Sequence, residues 1–450
     1  MADTLLVDHR NIGAAIRRLC VPIAFTMLGD QLLGVVDTIA IGSLGAIALA
    51  GVTGAATVFT AFAFSIFGFF SGMSIVAAQR VGARDLDGFG KTVRAGFVVP
   101  AAAALLCAFL SIPLAGITIG AMVGHLASAH ESATYLILRC FSLLPIAISG
   151  TLIVGLGAAG NRVLGVLVLA IVNAVHIPLL LILALGWGTH HPLGIAGAGI
   201  SSLLSETIAC VCAVIYTLRR PMYRVFASFN FNLRLAFECA RLGLPEVAFL
   251  FAVIAPDSFI VAMLAPLGAV AISAFRALNV VSDLTFVVPS PLQSAAQIVI
   301  GQRLGAREVE AARAFFARMR RLSFLLTSLT GAICAVLAWP LAYLFTLNAI
   351  VASAAALPLA LHMVTLPLKG YAMVSMSPIR ASGDTKFSMI AGILTGILVV
   401  PISYLCIRVF HIGLYGVPLA WIAAWSARSA ATAIKLRGDG WTRRGPIAAA

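Results

Sequence analysis

The chain has 450 residues, of which 61% are hydrophobic and only 10% are charged. About 25% of the residues in a soluble globular domain are charged, so this composition excludes a water-soluble protein and requires lipid as the main solvent. The formal net charge of +14 would suggest a nucleic-acid partner, but its distribution along the chain, described below, excludes one.

Twelve apolar stretches are each long enough to cross about 30 Å of hydrocarbon as an α-helix. In chain order they cover residues 14–42, 46–78, 93–119, 130–158, 163–186, 194–218, 242–265, 268–300, 322–347, 351–381, 387–410 and 413–434. Their apolar runs are continuous rather than alternating, which excludes membrane-spanning strands. The sequence therefore predicts an all-α integral membrane protein with twelve transmembrane helices.

The second half of the chain repeats the first half with a constant offset of 223 residues. Pro22 recurs as Pro245, and the segment 79–85 recurs almost unchanged as 302–308. An even number of spans per half gives both halves the same orientation, as parallel repeats related by an axis along the membrane normal. Such a duplication predicts two pseudo-symmetric six-helix bundles and a transport site between them.

The predicted organisation is an N-lobe at residues 1–218, a basic cytoplasmic link at 219–241 and a C-lobe at 242–450. With the amino terminus inside, 25 of the 30 Lys and Arg residues fall in cytoplasmic segments, which is the positive-inside bias. We therefore expect a multi-pass protein of the plasma (inner) membrane with both termini in the cytoplasm. The basic segments 82–94 and 301–321 are expected to form short interfacial helices that face anionic headgroups.

Pro22 and Pro245 lie near the start of the first predicted helix of each half. Proline lacks the backbone N–H that bonds to the carbonyl four residues earlier, so it bends a helix. A single proline is common in membrane helices, whereas bent helices line transport cavities. A proline at the same place in both halves therefore predicts a pair of functional helix bends.

Six charged residues lie deep in the predicted spans: Asp30, Asp37, Glu206, Asp257, Asp283 and Lys369. Each charge at this depth costs about 2.5–3.5 kcal/mol, so it needs a partner, a proton or a function. We interpret these residues as candidates for lining a substrate cavity, where acids attract organic cations. A carboxyl group that is removed from water can also take up a proton near neutral pH.

Asp30 and Asp37 are seven residues apart on the first predicted helix and therefore share one face. The repeat aligns Asp257 with Gly34, which lies between these two aspartates in sequence. The first helix of each half therefore carries acid on an equivalent face. If those faces line the cleft between the lobes, the cavity is acidic.

A structural alternative is that Lys369, Arg139 or Arg276 holds these acids in static ion pairs. Lys369 has two open interpretations, as a counter-ion to an aspartate or as a cavity residue that repels cations. His176 and His362 are also at membrane depth, and a hydrogen-bonded packing role is the more common one for such histidines.

Several segments resemble the multidrug and toxic compound extrusion (MATE) family. They are Pro22 with 36–42, the loops 160–161 and 380–385, the loop 301–306 and the stretch 173–178. Together with the six-plus-six layout, the resemblance covers nearly the whole chain. It implies a V-shaped antiporter whose two bundles rock to export organic cations in exchange for H⁺ or Na⁺.

By this resemblance, Asp37 matches the first-helix aspartate that binds the coupling ion, and Asn173 matches the fifth-helix asparagine of the same site. The chain departs from the family at Ile177, where some members carry a second aspartate, and it has no clear counterpart to a seventh-helix glutamate of others. A site with one fewer carboxylate favours H⁺ over Na⁺. Asp384 is expected to cap a helix rather than to take part in transport.

The leading hypothesis is a cation-coupled exporter, with a lipid-linked oligosaccharide flippase of the same superfamily as the alternative. A flippase needs a basic cavity for pyrophosphate, whereas the deep charges here are mostly acidic. We predict no enzyme activity, because the chain lacks motifs such as HExxH or GxSxG. The expected partners are small organic cations and the lipid bilayer, with a coupling ion but no cofactor or metal, and the expected state is a monomer.

Overall fold

The computed structural model describes residues 11–123, 129–188, 192–228 and 230–443, and it contains no strand within those ranges. Its α-helices are α1 Ile12–Ala15, α2 Val21–Gly42, α3 Ala46–Gly82, α4 Leu86–Val123, α5 Ala129–Ala158, α6 Val163–Leu183, α7 Gly194–Leu218, α8 Leu233–Leu264, α9 Ala269–Thr285, α10 Pro289–Gly305, α11 Val309–Val336, α12 Ala338–Thr346, α13 Ala349–His362, α14 Thr365–Ala381, α15 Thr385–Tyr404, α16 Gly416–Arg437 and α17 Gly440–Arg443. Short helical segments of other types are π-helical Ile16–Cys20 and Leu405–Val409 and the 3₁₀ turns Pro221–Tyr223, Ala265–Leu267 and Gly413–Tyr415. The predicted all-α fold is confirmed, while the predicted cytoplasmic ends, 1–10 and 444–450, lie outside the described residues.

Most of the described helices are long and apolar enough to cross a membrane. Ten such spans are present among the described residues, and the bent pair α13–α14 makes an eleventh. The helix α16 follows them with 22 residues. The predicted twelve-helix membrane fold is consistent with this arrangement.

The described chain forms two compact units. The first unit is Val21–Val247, and the second begins at Ala248 and includes the segment that ends at Cys20. The apolar core of the first unit draws on α2 to α7. The second unit has one core from α8, α9, α12, α13, α15 and α16 and another around α10 and α11. The predicted lobe boundaries remain a prediction, and α8 already begins at Leu233, inside the predicted link.

The sequence repeat is also a repeat of turn geometry. Arg80 pairs with Asp85 at 2.7 Å after α3, and Arg303 pairs with Glu308 at 2.7 Å after α10. In both turns the N–H of the acid donates to the carbonyl of the arginine. The residue before each acid has a positive φ. These closed turns let the next helix begin at once.

The basic segments 82–94 and 301–321 therefore do not form the separate interfacial helices predicted above. After each closed turn, the chain enters a long helix directly, α4 at Leu86 and α11 at Val309. The basic residues that follow are the first turns of those membrane-spanning helices. The prediction was wrong because a change from polar to apolar composition along one helix was read as a break between two helices.

Prolines break two of the spans. Pro289 cannot donate to Thr285, so Val288 N–H bonds to the Thr285 carbonyl at 3.2 Å in a 3₁₀-type turn and α9 ends there. Pro367 likewise cannot donate to Met363, and α13 and α14 meet at an angle of 42°. These breaks bring side chains from the ends of three helices together in the second unit, as described below.

Candidate functional site

Asp37 on α2 and His176 on α6 form a direct pair within the first unit. Asp37 Oδ1 lies 2.8 Å from His176 Nε2. His176 is only 3% exposed, whereas the Asp37 side chain is 29% exposed. An ionised carboxylate only accepts hydrogen bonds, so in a pair with ionised Asp37 the imidazole donates from Nε2. The pair can therefore hold a proton, and the partly exposed carboxylate of Asp37 is the side from which that proton is accessible.

The pair forms because α2 and α6 pack closely. Leu169, Val172 and His176 are three and four residues apart and lie on one face of α6. Gly29 on α2 leaves room for the Leu169 side chain at the place where a Cβ would lie. Asp37 lies two helical turns beyond Asp30 on the same face of α2, and this face is the one that contacts His176 on α6.

Asn173, the second predicted coupling residue, has a different partner. Its Nδ2 donates to the Leu169 carbonyl in its own helix at 2.9 Å. Within the described ranges no hydrogen bond joins Asn173 to Asp37. The side chain that contacts Asp37 is instead His176, three residues further along α6. A coupling role for Asn173 therefore remains a prediction.

A cavity of about 270 Å³ lies in the first unit and contains two of the predicted substrate residues. Asp30 from α2 and Glu206 from α7 line it, together with Pro22, Thr26 and Arg162. Neither carboxylate forms an ion pair or hydrogen bond with another described side chain. When both acids are ionised, their two negative charges exceed the one positive charge of Arg162, so the cavity lining is net negative and attracts cations.

The cavity and the Asp37–His176 pair are electrostatically linked. His176 lies on α6, one turn beyond Val172, and α6 also contributes Leu169 and Val172 to the lining of the cavity that contains Asp30 and Glu206. Arg139 does not hold any of the acids in the predicted static pair, because its guanidinium lies 4.1 Å above the ring of Phe59. A change of protonation at His176 therefore changes the potential in the cavity.

The two predicted helix bends differ in their surroundings. Pro22 is the second residue of α2, directly after the π-helical segment Ile16–Cys20, and it borders the cavity. Because Pro22 has no N–H to complete an α-helical bond, a wider turn before it is the expected response. Pro245 lies well inside α8, which begins at Leu233. A role of either bend in transport remains a prediction.

Lys369 is 3% exposed in the second unit and has no carboxylate partner among the described residues. Its Nζ donates to Ser282 Oγ at 2.9 Å, and Ser282 Oγ lies 3.1 Å from His362 Nε2. The ring centroids of Phe286 and Trp425 lie 4.8 and 6.0 Å from Nζ. A hydroxyl group and two aromatic faces therefore stabilise this ammonium group.

Asp257 and Asp283 also lack ion pairs with the cations that the structure describes. Asp283 is exposed and Asp257 is half-buried. Asp283 directly follows Ser282 on α9, and Ser282 Oγ accepts the hydrogen bond from Lys369 Nζ. Lys369, Ser282, His362 and Asp283 therefore form one cluster, but no direct contact joins Lys369 to Asp257 or Asp283 among the described residues, and the predicted static pairs with Arg276 or Lys369 are not formed.

Sequence reasoning treated two functional candidates, His176 and His362, as packing residues. For His176 the missed signal is its position three residues after Asn173, on the face of α6 that the predicted site requires. His362 carries no comparable signal, because its partner Ser282 is on another helix and is a common residue in membrane spans.

Comparisons with known proteins agree on one family. A relative named "Probable multidrug resistance protein NorM" from Caulobacter vibrioides is 24% identical over 92% of this chain and 90% of its own length. One of the same name from Aromatoleum aromaticum is 27% identical over 64% of this chain, and the match spans 63% of that relative's length. An outward-facing multidrug resistance MATE family transporter of the MOP superfamily has a TM-score of 0.87 at 20% identity, over 94% of this chain and 95% of that chain.

The structural likeness shows that the fold is that of MATE transporters. The MatE family profile matches residues 22–182 and 250–405, a match in each half of the duplicated chain. These two segments include α2 with Asp37, α6 with His176, and the cluster around Lys369. The chain belongs to the MatE family.

Proposed function

We propose that this protein is a secondary active antiporter that exports organic cations, including drugs, in exchange for an ion that binds at Asp37. The names of the NorM relatives support drug export as the direction of transport. The observation that carries the coupling role is the 2.8 Å contact between Asp37 Oδ1 and His176 Nε2. A carboxylate and an imidazole at hydrogen-bond distance form a two-group proton site within one six-helix unit.

This pair favours H⁺ over Na⁺ as the coupling ion. Hard metal cations are held by several oxygen ligands. This pair contains one carboxylate, and one of its two oxygens is already hydrogen-bonded to a ring nitrogen. Asn173, the other predicted coupling residue, donates its amide nitrogen to its own helix and has no hydrogen bond to Asp37 among the described residues. A proton needs no such ligand set, because either Asp37 or His176 can carry it.

The cavity beside the pair is the proposed substrate site of the first unit. With Asp37, Asp30 and Glu206 ionised, the cavity attracts an organic cation. Proton uptake from outside by the Asp37–His176 pair adds a positive charge close to Glu206 and lowers the affinity for that cation. The ion drives the cycle because it binds the two states of the transporter with different affinity. Pro22, at the end of the cavity, is the proposed hinge of α2.

The expected setting is the inner membrane, with both termini in the cytoplasm and a monomeric transporter. The basic linker and the Arg-rich turns support this orientation through the positive-inside bias. Lipid and small organic cations are the proposed partners, and H⁺ or Na⁺ takes the place of a cofactor.

Ethidium accumulation in efflux-deficient bacteria tests this proposal. Cells that express wild type, Asp37→Asn or the matched control Asp87→Asn at equal levels are compared. Asp87 is exposed and pairs with Arg224 away from the cavity, so its variant should export like wild type. We expect wild type and Asp87→Asn to keep ethidium out, Asp37→Asn to fail, and a protonophore but not Na⁺ removal to abolish export.

Two other results of this experiment would each reject a part of the proposal. Export by Asp37→Asn at the wild-type rate rejects the coupling role of Asp37 while leaving drug export in place. If none of the proteins lowers ethidium or a panel of other organic cations, drug export is rejected and the flippase alternative is tested next, with lipid-linked oligosaccharide.

A further inference from the structure

A second titratable centre lies in the second unit, outside the proposed coupling pair. Lys369 in the second turn of α14, Ser282 on α9 and His362 at the end of α13 form a hydrogen-bonded chain across the 42° break. His362 is 2% exposed, and its Nδ1 has no hydrogen-bond partner in the part of the chain that the structure describes. This hydrogen-bonded chain therefore ends at His362 Nδ1, a buried nitrogen that can gain or lose a proton.

Lys369 has more N–H donors than hydrogen-bond acceptors around it. An ammonium group has three N–H donors, and Ser282 is the one side-chain acceptor among the described residues. The Phe286 and Trp425 rings stabilise the charge but accept no proton. A buried lysine can lose its proton, whereas arginine stays charged inside proteins.

We propose that Lys369 is a second proton-exchanging group of the transport cycle, and that its protonation controls the affinity of Asp257 and Asp283 for an organic cation. The proposal rests on the antiport function proposed above, but it concerns a different unit and different acids. Protonated Lys369 compensates the two carboxylates, so cation affinity is low. Neutral Lys369 leaves them uncompensated, so cation affinity is high. One proton is thus exchanged for one positive charge of substrate.

The proton can leave through the hydrogen-bonded chain. A proton moves from Lys369 Nζ to Ser282 Oγ while the hydroxyl proton of Ser282 moves to His362 Nε2. The lysine becomes a neutral amine, the hydroxyl is unchanged, and the imidazole carries the positive charge. Transfer of the Nδ1 proton to a water molecule, which becomes hydronium, then returns His362 to its neutral form.

Other charged groups around Lys369 come from several helices. Asp257 is on α8, Asp283 and Arg276 are on α9, and Arg428 on α16 lies 5.0 Å from the Trp425 ring. Arg276 and Arg428 stay charged at all relevant pH values, so they shift the potential without titrating. Lys369 and His362 are then the basic groups of the cluster that can change charge.

The centre is specific to the second unit. The repeat aligns Lys369 with Ile146 and Ser282 with Phe59 in the first half. The first unit has its proton pair elsewhere, at Asp37 and His176, which align with Ile260 and Val399. The two halves have therefore kept the same turns but acquired different titratable groups.

Trp425 provides a direct, substrate-independent test. A variant that keeps Trp425 and carries Phe at the other four tryptophans is titrated from acidic to alkaline pH while indole fluorescence is recorded. We expect a transition that Lys369→Arg abolishes and that Asp37→Asn and the exposed control Lys386→Arg leave in place. The proposal is overturned if no transition occurs, or if it persists in Lys369→Arg and disappears in His362→Gln.

Binding of tetraphenylphosphonium tests the link to cation affinity, in an Asp30→Asn/Glu206→Gln background that removes the two acids of the cavity in the first unit. We expect affinity to rise with pH in the parent, to stay low in Lys369→Arg and to stay high in Lys369→Gln. Equal affinities in both variants, or a preserved pH dependence in Lys369→Arg, overturn the link. Because the acids of the first cavity are already removed, these results are independent of the outcome of the ethidium experiment.

Discussion

Replacing His176 separates hydrogen bonding from proton binding at the proposed coupling pair. In His176→Phe, Asp37 loses its only side-chain partner in the described structure. A hydrogen bond to a charged group contributes about 1.5–3 kcal/mol. The Asp37 side chain is 29% exposed, so water replaces part of this contribution and the lower end applies. We therefore expect a loss of about tenfold in proton-coupled export.

The variant His176→Gln sharpens this experiment. Glutamine retains an N–H donor for Asp37 but cannot titrate, so export at neutral pH should stay within a few-fold of wild type while its pH dependence flattens. The assay is proton release from inverted membrane vesicles on addition of ethidium, followed with a pH-sensitive dye. His130→Phe, on an exposed part of α5, is the matched control. Wild-type rate and pH dependence in His176→Phe would refute the reasoning.

Two further predictions concern stability and are measured as melting temperatures in detergent. Gly72→Ala should lower stability by about 1–3 kcal/mol, because the new Cβ meets the backbone of Cys239; Gly116→Ala, with open space around it, is the control and should be neutral or stabilising. Asp384→Ala should cost about 0.5–2 kcal/mol, because Asp384 Oδ1 caps α15 at Phe387 N–H and Oδ2 pairs with Lys435. Asp384→Asn should restore the cap alone and recover part of that loss.

The fold could be predicted from the sequence because membrane insertion depends on composition and length. Continuous apolar runs and the 223-residue repeat give the spans and their pairing into halves. The capping role of Asp384 was also predictable, and it is confirmed, because a cap depends on residues close in sequence. The breaks before Pro289 and Pro367 were harder to place, since prolines in membrane helices do not always end them.

The candidate site could be predicted only in part. The cost of burying charge identified Asp30, Asp37, Glu206 and Lys369 as residues that need a partner or a function. The partners themselves depend on which helix faces meet, and those faces follow from tertiary packing. Sequence reasoning therefore offered Lys369, Arg139 and Arg276 as partners, whereas the structure shows His176 for Asp37 and no ion pair for the other four acids among the described residues.

The two units accommodate charged side chains at membrane depth in different ways. In the first, acids dominate and the imidazole of His176 contacts the carboxylate of Asp37. In the second, the buried group is the cation Lys369, and its acids stay at a distance. A duplicated chain that kept its turns but exchanged its charges can bind protons at two places with different consequences for a cation. Under the two proposals above, a proton at the Asp37–His176 pair acts on the cavity of Asp30 and Glu206, whereas a proton at Lys369 acts on Asp257 and Asp283, so each unit responds to pH through different acids.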